Sequence, residues 1–171
     1  MRGALVLIDI QKGFDQEIWG ERNNPSFETN ISELLEEWRS LALPVFHVWH
    51  DSFLEDSPLK NGKPGFTFMD CSRPIPGDPV ITKKVNSAFI GTSLELQLRE
   101  RGINRITLAG LTTDHCISTS ARMASNLGFE VTIVSGGTAT FERKLNGEIF
   151  DAETIHQSAL ASLNQEFARI I

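Results

Sequence analysis

Residues 106–128, ITLAGLTTDHCISTSARMASNLG, join an apolar strand to a helix through a polar turn, and this order decides the fold. Ile106–Ala109 predicts a short buried strand because the segment is mostly apolar. Ile117–Leu127 predicts a helix that ends at Gly128, a residue type common just after helices. The turn between them carries Cys116. In parallel sheets, turns that follow strands in this way line the edge where ligands bind.

The cysteine in this turn has two interpretations. At a strand-to-helix turn, the first N–H groups of the helix and its dipole favour a thiolate, the nucleophilic form of cysteine. Lowering the pKa of a thiol from about 8.5 by roughly two units makes the thiolate dominant at neutral pH. The other interpretation is structural, because free cysteines are commonly small buried hydrophobes. Polar residues at the other strand ends favour the nucleophile.

Length and composition narrow the possible functions. The chain has 171 residues, which predicts a single domain over residues 1–171. Its formal charge is −6 and its basic residues are scattered, which argues against nucleic acid as a partner. Two cysteines do not make a disulfide framework. The first apolar run, Ala4–Ile8, is too short for a signal peptide or a membrane span. We therefore expect a cytoplasmic protein that does not bind membranes.

Strand and helix patterns alternate along the chain. The predicted strands are Ala4–Ile8, Val45–Trp49, Val80–Thr82, Ile106–Ala109 and Val131–Val134, with Ile170-Ile171 as a candidate final strand. The predicted helices are Glu28–Leu41, Ser93–Arg101, Ile117–Leu127 and Thr154–Ala168. Residues 52–79, rich in Pro, Gly, Asp and Ser, predict a long irregular loop, and such loops are usually functional. The alternation predicts an α/β fold with a mostly parallel sheet and helices on both faces.

Polar residues follow several of these strands. Asp9 ends the first strand, His50-Asp51 the second, Lys83-Lys84 the third, and the Cys116 turn the fourth. Because ligands of such sheets lie beyond the carboxyl ends of the strands, these side chains are candidates for one cleft. A cysteine can attack, an aspartate can move the proton, and a lysine can stabilise the ionised forms. Each residue alone also has a structural interpretation, such as a capped loop or a solvated charge.

Six short segments together carry a resemblance to a known family. In chain order they are Leu7–Phe14 (LIDIQKGF), His47–Ser52 (HVWHDS), Ile81–Phe89 (ITKKVNSAF), Gly91–Leu94 (GTSL), Gly110–Cys116 (GLTTDHC) and Leu127–Phe129 (LGF). The chain resembles the isochorismatase-like cysteine hydrolases, which include isochorismatases, nicotinamidases and N-carbamoylsarcosine amidohydrolases. The resemblance covers nearly the whole chain. It implies a three-layer α/β/α, Rossmann-like fold with a mostly parallel sheet of about six strands.

The resemblance also implies the catalytic residues Asp9, Lys83 and Cys116. In the family the lysine stands four residues before a Ser-Ala-Phe element, which selects Lys83 over Lys84. The implied chemistry is attack of the thiol on an amide or similar carbonyl, loss of the amine, and hydrolysis of the thioester. A cis peptide bond between Leu111 and the following threonine is implied as well.

That cis bond, in the family, directs backbone N–H groups towards the substrate. The oxyanion hole implied here consists of the N–H groups of Thr112 and Cys116. Each such donor contributes roughly 3 kcal/mol of transition-state stabilisation. His115, next to the nucleophile, is expected to point away from it, and Cys71 has no implied role.

The chain lacks the metal-binding pattern of the nicotinamidase branch, an Asp-x-His pair with a further histidine. No aspartate here has a histidine two residues later, and no histidine lies between His50 and His115. His47 and His50 are three residues apart on a predicted strand, so they face opposite sides. We therefore expect no metal site and no cofactor, which argues against a nicotinamidase. A second departure is Ser135–Thr138 (SGGT), where many relatives have Asp-Ala; it is expected to widen the pocket or to alter a subunit contact.

Aromatic and histidine side chains near the motifs are candidates for the substrate pocket. We select Phe14, Trp49, His50 and Phe89 as substrate-binding residues, and expect Trp49 and Phe89 to form its walls because each lies beside a motif residue. The competing interpretation for each aromatic residue is the hydrophobic core. His50 either binds polar groups of the substrate or stabilises the Asp9 loop.

The leading hypothesis is a metal-independent cysteine hydrolase that cleaves a C–N bond (amide, lactam or carbamoyl) of a small molecule. One alternative is enol ether hydrolysis of the isochorismatase type, which need not use the thiol. Others are a non-catalytic binding subunit that retains the fold and a redox sensor based on Cys116. Since relatives assemble as dimers or tetramers, we also expect a homodimer or homotetramer.

Overall fold

A single six-stranded sheet forms the centre of the computed structural model, which describes residues 3–171. Its strands are β1 (Ala4–Ile8), β2 (Val45–His50), β3 (Val80–Lys83), β4 (Arg105–Leu111), β5 (Glu130–Ala139) and β8 (Arg169–Ile170). The order across the sheet is β3-β2-β1-β4-β5-β8, and every pairing is parallel. The order reverses at β1 and β4, so the adjacent ends of these strands create a crevice.

Helices cover both faces of the sheet, as the alternating pattern predicted. They are α1 (Phe27–Ser40), α2 (Leu94–Glu100), α3 (Ser118–Asn126) and α4 (Ala152–Leu163). Because side chains alternate along a strand, β1 supplies both cores. Leu5 and Leu7 pack with α1, whereas Val6 and Ile8 pack with the other helices. This alternation gives the three-layer α/β/α, Rossmann-like architecture.

The structure confirms the existence of each predicted strand and helix and corrects several boundaries. Strand β5 runs through Ser135–Thr138 to Ala139, beyond the expected end at Val134. Helix α4 ends at Leu163 rather than Ala168, and the chain then turns into the two-residue strand β8. A small hairpin of β6 (Arg143–Leu145) and β7 (Glu148–Phe150) was not predicted.

The glycines at 136 and 137 lie against α1 and not at the Cys116 turn. A Cβ on Gly136 would approach the Asn30 amide at 3.0 Å, and one on Gly137 would approach Leu34 at 2.9 Å. The carbonyl of Gly136 also accepts a hydrogen bond from Asn30 at 2.6 Å. The missing side chains therefore allow close packing of β5 on α1. These glycines do not line the cavity at Cys116 and so do not widen it, while the other expectation, an altered subunit contact, stays a prediction.

The long loop between β2 and β3 is irregular, apart from short 3-10 turns at Pro64–Phe66 and Asp70–Ser72. It returns over the end of β1, where Gln11 and Phe68 form an antiparallel bridge. Among the helices at positions 3–171, none combines the length and apolar character required to cross a membrane.

Candidate active site

Asp9 lies where β1 ends and the chain leaves the sheet. Its backbone has φ +56°, an unusual value for a residue other than glycine, and its N–H still donates to the Val48 carbonyl at 2.8 Å. The side chain is completely buried. The bend at this residue thus turns a carboxylate into the crevice between β1 and β4.

Gln11 fixes the chain just beyond this bend. Its side-chain carbonyl accepts a 2.7 Å hydrogen bond from the His50 N–H, and its amide donates to the His50 carbonyl at 3.1 Å. The same amide donates to the Phe66 carbonyl at 3.2 Å. One buried amide side chain thus connects the ends of β1 and β2 with the long loop.

Lys83, the last residue of β3, is the centre of the polar cluster. Its side chain has 0% exposure, and Nζ lies 2.6 Å from Oδ2 of Asp9. The ammonium also donates to Sγ of Cys116 at 3.3 Å and to the carbonyl of Val85 at 3.1 Å. Lys84, by contrast, is exposed and pairs with Asp51. The strand therefore directs Lys83, and not Lys84, into the site.

Cys116 lies in a π-helical turn, Thr113–Ile117, that leads from β4 into α3. The peptide bond between Leu111 and Thr112 is cis, as the resemblance implied. Within the turn, the N–H groups of His115 and Ile117 both donate to the Thr112 carbonyl, with N···O distances of 3.2 and 3.1 Å. These bonds hold the cysteine at the bottom of the crevice, where it is 8% exposed.

The surroundings of the thiol raise its pKa, contrary to the expectation from its position in a turn. Burial and the negative charge of Asp9 raise the pKa of Cys116, and the opposing effect of the Lys83 ammonium does not compensate for them. The sequence correctly predicted that Cys116 lies in a strand-to-helix turn, but the pKa of its thiol depends on which groups the fold brings beside it. An adjacent base is therefore needed to remove the thiol proton.

His50 completes the cluster from the end of β2. Its Nδ1 lies 3.1 Å from Nζ of Lys83. Since an ammonium can only donate, Nδ1 is the acceptor and the ring proton is on Nε2. Burial and the Lys83 charge lower the pKa of His50, which agrees with a neutral ring. His47 lies on the opposite face of β2, where its Nε2 is 3.2 Å from Asp78.

Three potential metal ligands meet here, since donor atoms of Asp9, His50 and Cys116 all lie within 4.8 Å of one another. The Lys83 ammonium contacts all three of these residues, at the distances given above. The charge that a cation would supply is thus already present. The donors fit a lysine-centred cluster better than a metal centre, and the absence of a metal stays a prediction.

A cavity of about 220 Å³ opens onto Cys116. Phe14 and Trp19 form an aromatic wall, with ring centroids 5.1 Å apart. The other lining residues are Asp9, His50, Ser52, Leu54, Ser57, Leu59, Asn86, Thr112, His115 and Arg143. Two of the four selected pocket residues, Phe14 and His50, therefore reach the cavity. Thr112 and Cys116 line the cavity too, and the oxyanion hole implied for their N–H groups stays a prediction.

Trp49 and Phe89, the expected pocket walls, do not line the cavity. Trp49 alternates with His50 along β2, so its ring faces the other side and stacks on Phe68 with a centroid distance of 4.5 Å. Phe89 is buried in the core, 5.8 Å from the Phe129 ring. Proximity along the chain to a motif residue was therefore misleading in both cases.

Arg143 is a cavity residue that the sequence interpretation missed, because it belongs to the unpredicted hairpin. A signal was present, since Asn146-Gly147 joins β6 to β7, and both residues have positive φ, +51° and +85°. Asn-Gly between short strands is a strong indication of a two-residue hairpin turn. His115 is exposed and its Nε2 is 3.3 Å from the Asp114 carboxylate, so its partner is not the thiol. Cys71 is half-buried, and burial raises its pKa to about 11.

Comparisons with known proteins agree with this architecture. The family profile described as Isochorismatase domain matches residues 3–171. The isochorismatase family protein YrdC of Bacillus subtilis is 44% identical over 98% of this chain and 90% of its own length. A crystal structure of an isochorismatase-family protein from Chromobacterium violaceum superimposes with a TM-score of 0.95, at 39% identity, over 99% of this chain and 89% of that one. Nicotinamidase 3 of Arabidopsis thaliana is 27% identical over 98% of this chain and 83% of its own length. The chain therefore belongs to the isochorismatase family, and it is a hydrolase.

Proposed function

We propose that the protein is a metal-independent cysteine hydrolase that cleaves a C–N bond of a small, uncharged molecule through a thioester on Cys116. The observation that carries this proposal is the buried contact of the Lys83 ammonium with both Asp9 (2.6 Å) and Cys116 (3.3 Å). In such a group the carboxylate can accept the proton of the thiol, and the cation can stabilise the negative charges that form when the thiol attacks. The match to a nicotinamidase, an amidase by name, supports the same chemistry.

In the first half-reaction, Asp9 accepts the thiol proton as Sγ of Cys116 attacks the carbonyl carbon. The new C–S bond places a negative charge on the carbonyl oxygen, which the N–H groups of Thr112 and Cys116 stabilise. Removal of one such donor typically costs about 3–4 kcal/mol. When the C–N bond breaks, Asp9 returns the proton to the leaving nitrogen. The products of this half-reaction are the free amine and the thioester.

In the second half-reaction, Asp9 removes a proton from water, and the hydroxide formed attacks the thioester carbonyl. The C–S bond then breaks, the acid is released, and the proton on Asp9 returns to the sulfur of Cys116. Lys83 keeps its charge throughout: burial opposes ionisation, but the charge of Asp9 and the hydrogen bonds to Asp9 and Cys116 raise its pKa above the ordinary value. It therefore stabilises each anionic stage without itself transferring a proton.

The charges around the cavity favour an uncharged substrate. Each cationic side chain in or beside it has an anionic partner, Lys83 with Asp9 and Arg143 with Asp114. The cavity volume of about 220 Å³ is below the roughly 300–1,000 Å³ of ordinary ligand pockets, so the substrate is small. The Phe14–Trp19 wall suits a planar apolar portion. A dicarboxylate such as isochorismate finds no unpaired cation among the lining residues, which disfavours enol ether hydrolysis.

The test is acylation by p-nitrophenyl acetate, a small neutral ester that reacts with activated thiols. We expect a burst of p-nitrophenol and acetyl-Cys116 in peptides from the acid-quenched protein. Cys116→Ser, Asp9→Asn and Lys83→Met should abolish the burst, whereas Cys71→Ser should retain it. A panel of uncharged carboxamides, lactams and carbamoyl compounds is then screened for release of ammonia or amine.

Two outcomes contradict the proposal. If acetylation occurs equally at both cysteines, or persists in Asp9→Asn, Cys116 is not an activated nucleophile. If the purified protein loses activity in a chelator and recovers it with a divalent ion, the reaction depends on a metal.

We also propose that the protein is a homodimer or homotetramer. The support is a set of apolar side chains that this chain leaves exposed near the cavity mouth and on the hairpin: Ile18, Phe53, Leu54, Leu145 and Ile149. Light scattering coupled to size-exclusion chromatography tests this, and a monomer at micromolar concentration contradicts it. The expected cytoplasmic location stays a prediction.

A further inference from the structure

Asp114, two residues before Cys116, is held by an unusually complete set of donors. Its Oδ1 accepts hydrogen bonds from the Thr140 hydroxyl at 2.5 Å and from Nη2 of Arg143 at 3.1 Å. Its Oδ2 accepts from Nε of Arg143 at 2.8 Å. The carboxylate is only 15% exposed. Burial opposes its ionisation, but the bonds from Thr140 and Arg143 outweigh burial and lower the pKa of Asp114, so the bonds are charge-assisted.

Arg143 reaches this carboxylate from the base of the β6–β7 hairpin. Two of its nitrogens donate to the two oxygens of one carboxylate, an arrangement that a lysine ammonium cannot reproduce. A third nitrogen, Nη1, donates to the Glu142 carbonyl at 3.1 Å, which fixes the plane of the guanidinium. The hairpin therefore has a fixed connection to the turn that carries the nucleophile.

The residue before Asp114 is anchored from another direction. The Thr113 hydroxyl and Nδ1 of His156, on α4, are 2.8 Å apart, and both residues are buried. The two residues Thr113 and Asp114 thus attach the Cys116 turn to separate parts of the fold. Of these two anchors, the Asp114 anchor is the one whose partner, Arg143, lies at the cavity.

We propose that Arg143 is a positioning residue for Cys116, which acts through its two-point contact with Asp114 to keep the thiol beside Asp9 and Lys83. The proposal rests on the proposed function. Cys116 needs this support because its thiol must transfer a proton to Asp9 as it attacks, and the rate of that transfer depends on the separation of the two groups. Misplacement of a reacting group by about 1 Å commonly costs around 100-fold in rate.

The experiment measures the acylation rate of Cys116 by p-nitrophenyl acetate in the Cys71→Ser background. We expect Arg143→Gln, Arg143→Lys and Asp114→Asn each to lower this rate by about 10–100-fold. Lysine retains the positive charge but not the two-point contact, so a normal rate in Arg143→Lys would overturn the proposal. Arg105→Gln is the control, since Arg105 makes a similar 2.7 Å contact with Glu130 far from the cavity.

A double-mutant cycle separates positioning from other effects. If both residues act as one unit, the rate of the double variant Arg143→Gln with Asp114→Asn stays within about twofold of the more impaired single variant. Fully multiplicative losses would overturn the proposal, as would an unchanged or increased rate in the single variants. Thermal unfolding of each variant is compared with that of the Arg105→Gln control, and a rate loss explained by partial unfolding at the assay temperature also counts against it.

The two proposals can fail separately. If Cys116 in the Cys71→Ser protein is no more reactive than in its Asp9→Asn variant, the proposed function fails. If the acylation rate of Cys116 falls in Asp9→Asn but does not change in the Arg143 and Asp114 variants, only the positioning inference fails.

Discussion

Substitution of Lys83 by methionine tests the central ion pair most directly. Both side chains of the Asp9–Lys83 pair have 0% exposure, and their charged atoms are 2.6 Å apart. Methionine retains most of the apolar stem but removes the cation, so the Asp9 carboxylate stays buried without its counter-charge. Breaking a buried pair in this way costs about 3–5 kcal/mol of unfolding free energy. For a domain of this size that is a decrease in Tm of roughly 6–20 °C.

The assay is urea unfolding at pH 7.5, followed by tryptophan fluorescence, with two further variants. The double variant Asp9→Asn with Lys83→Met removes both charges and should recover most of the loss, since replacing a whole buried pair is often nearly neutral. Lys84→Met is the matched control. Its partner contact, to Asp51, is 3.1 Å and its side chain is 54% exposed, so the loss should stay below about 1 kcal/mol.

A Lys83→Met loss no larger than that of Lys84→Met, or a double variant as unstable as the single one, would refute the reasoning.

Three further predictions concern the cavity, the fold and acid stability. Phe14→Leu should raise KM for p-nitrophenyl acetate about threefold to tenfold, because the aromatic wall of the cavity is lost. Phe89→Leu should leave KM unchanged and lower the free energy of unfolding in urea by about 1–2 kcal/mol. The reverse pattern contradicts the cavity assignment. Gly110→Ala should lower the free energy of unfolding by more than about 3 kcal/mol and reduce the soluble yield, because φ is +136° and a Cβ would collide with the β1 backbone. A variant as stable as the native protein contradicts this. Burial lowers the pKa values of His47 and His156 in the folded protein. Below about pH 6.5 the unfolded chain therefore binds more protons than the folded protein, and the free energy of unfolding should fall as the pH drops through that value. A constant free energy of unfolding between pH 7.5 and 5.5 argues against this prediction.

Local patterns in the sequence were sufficient to predict the sheet and the strand ends at which the candidate site lies. Strand β1 was predicted with its observed bounds because Ala4–Ile8 is buried on both faces and is therefore continuously apolar. The resemblance selected Asp9, Lys83 and Cys116, which the structure brings together, although their catalytic roles stay a prediction. Strand ends converge in a parallel sheet, so a residue that ends a strand is located by topology alone.

The features that the sequence did not reveal depend on three-dimensional surroundings. The side chains of β6 and β7 are mostly exposed, so these strands show no apolar alternation, and Arg143 went unnoticed. The pKa of Cys116 depends on burial and on Asp9, whose charge approaches from another strand. Trp49 and His50 were both selected for the pocket, although neighbouring residues of a strand point to opposite faces of the sheet.

Gln11 has a consequence for how this site can change in evolution. Its amide substitutes for a missing peptide unit: it continues the β1–β2 hydrogen-bond ladder after the backbone has bent away to present Asp9. Asp9 thus provides the reactive carboxylate, while Gln11, two residues later, maintains the hydrogen bonds at the end of the sheet. Glutamate at position 11 would match the shape yet lose both donated bonds, to His50 and Phe66. A substitution at position 11 therefore disturbs the end of the sheet and the long loop together, without touching the reactive groups themselves.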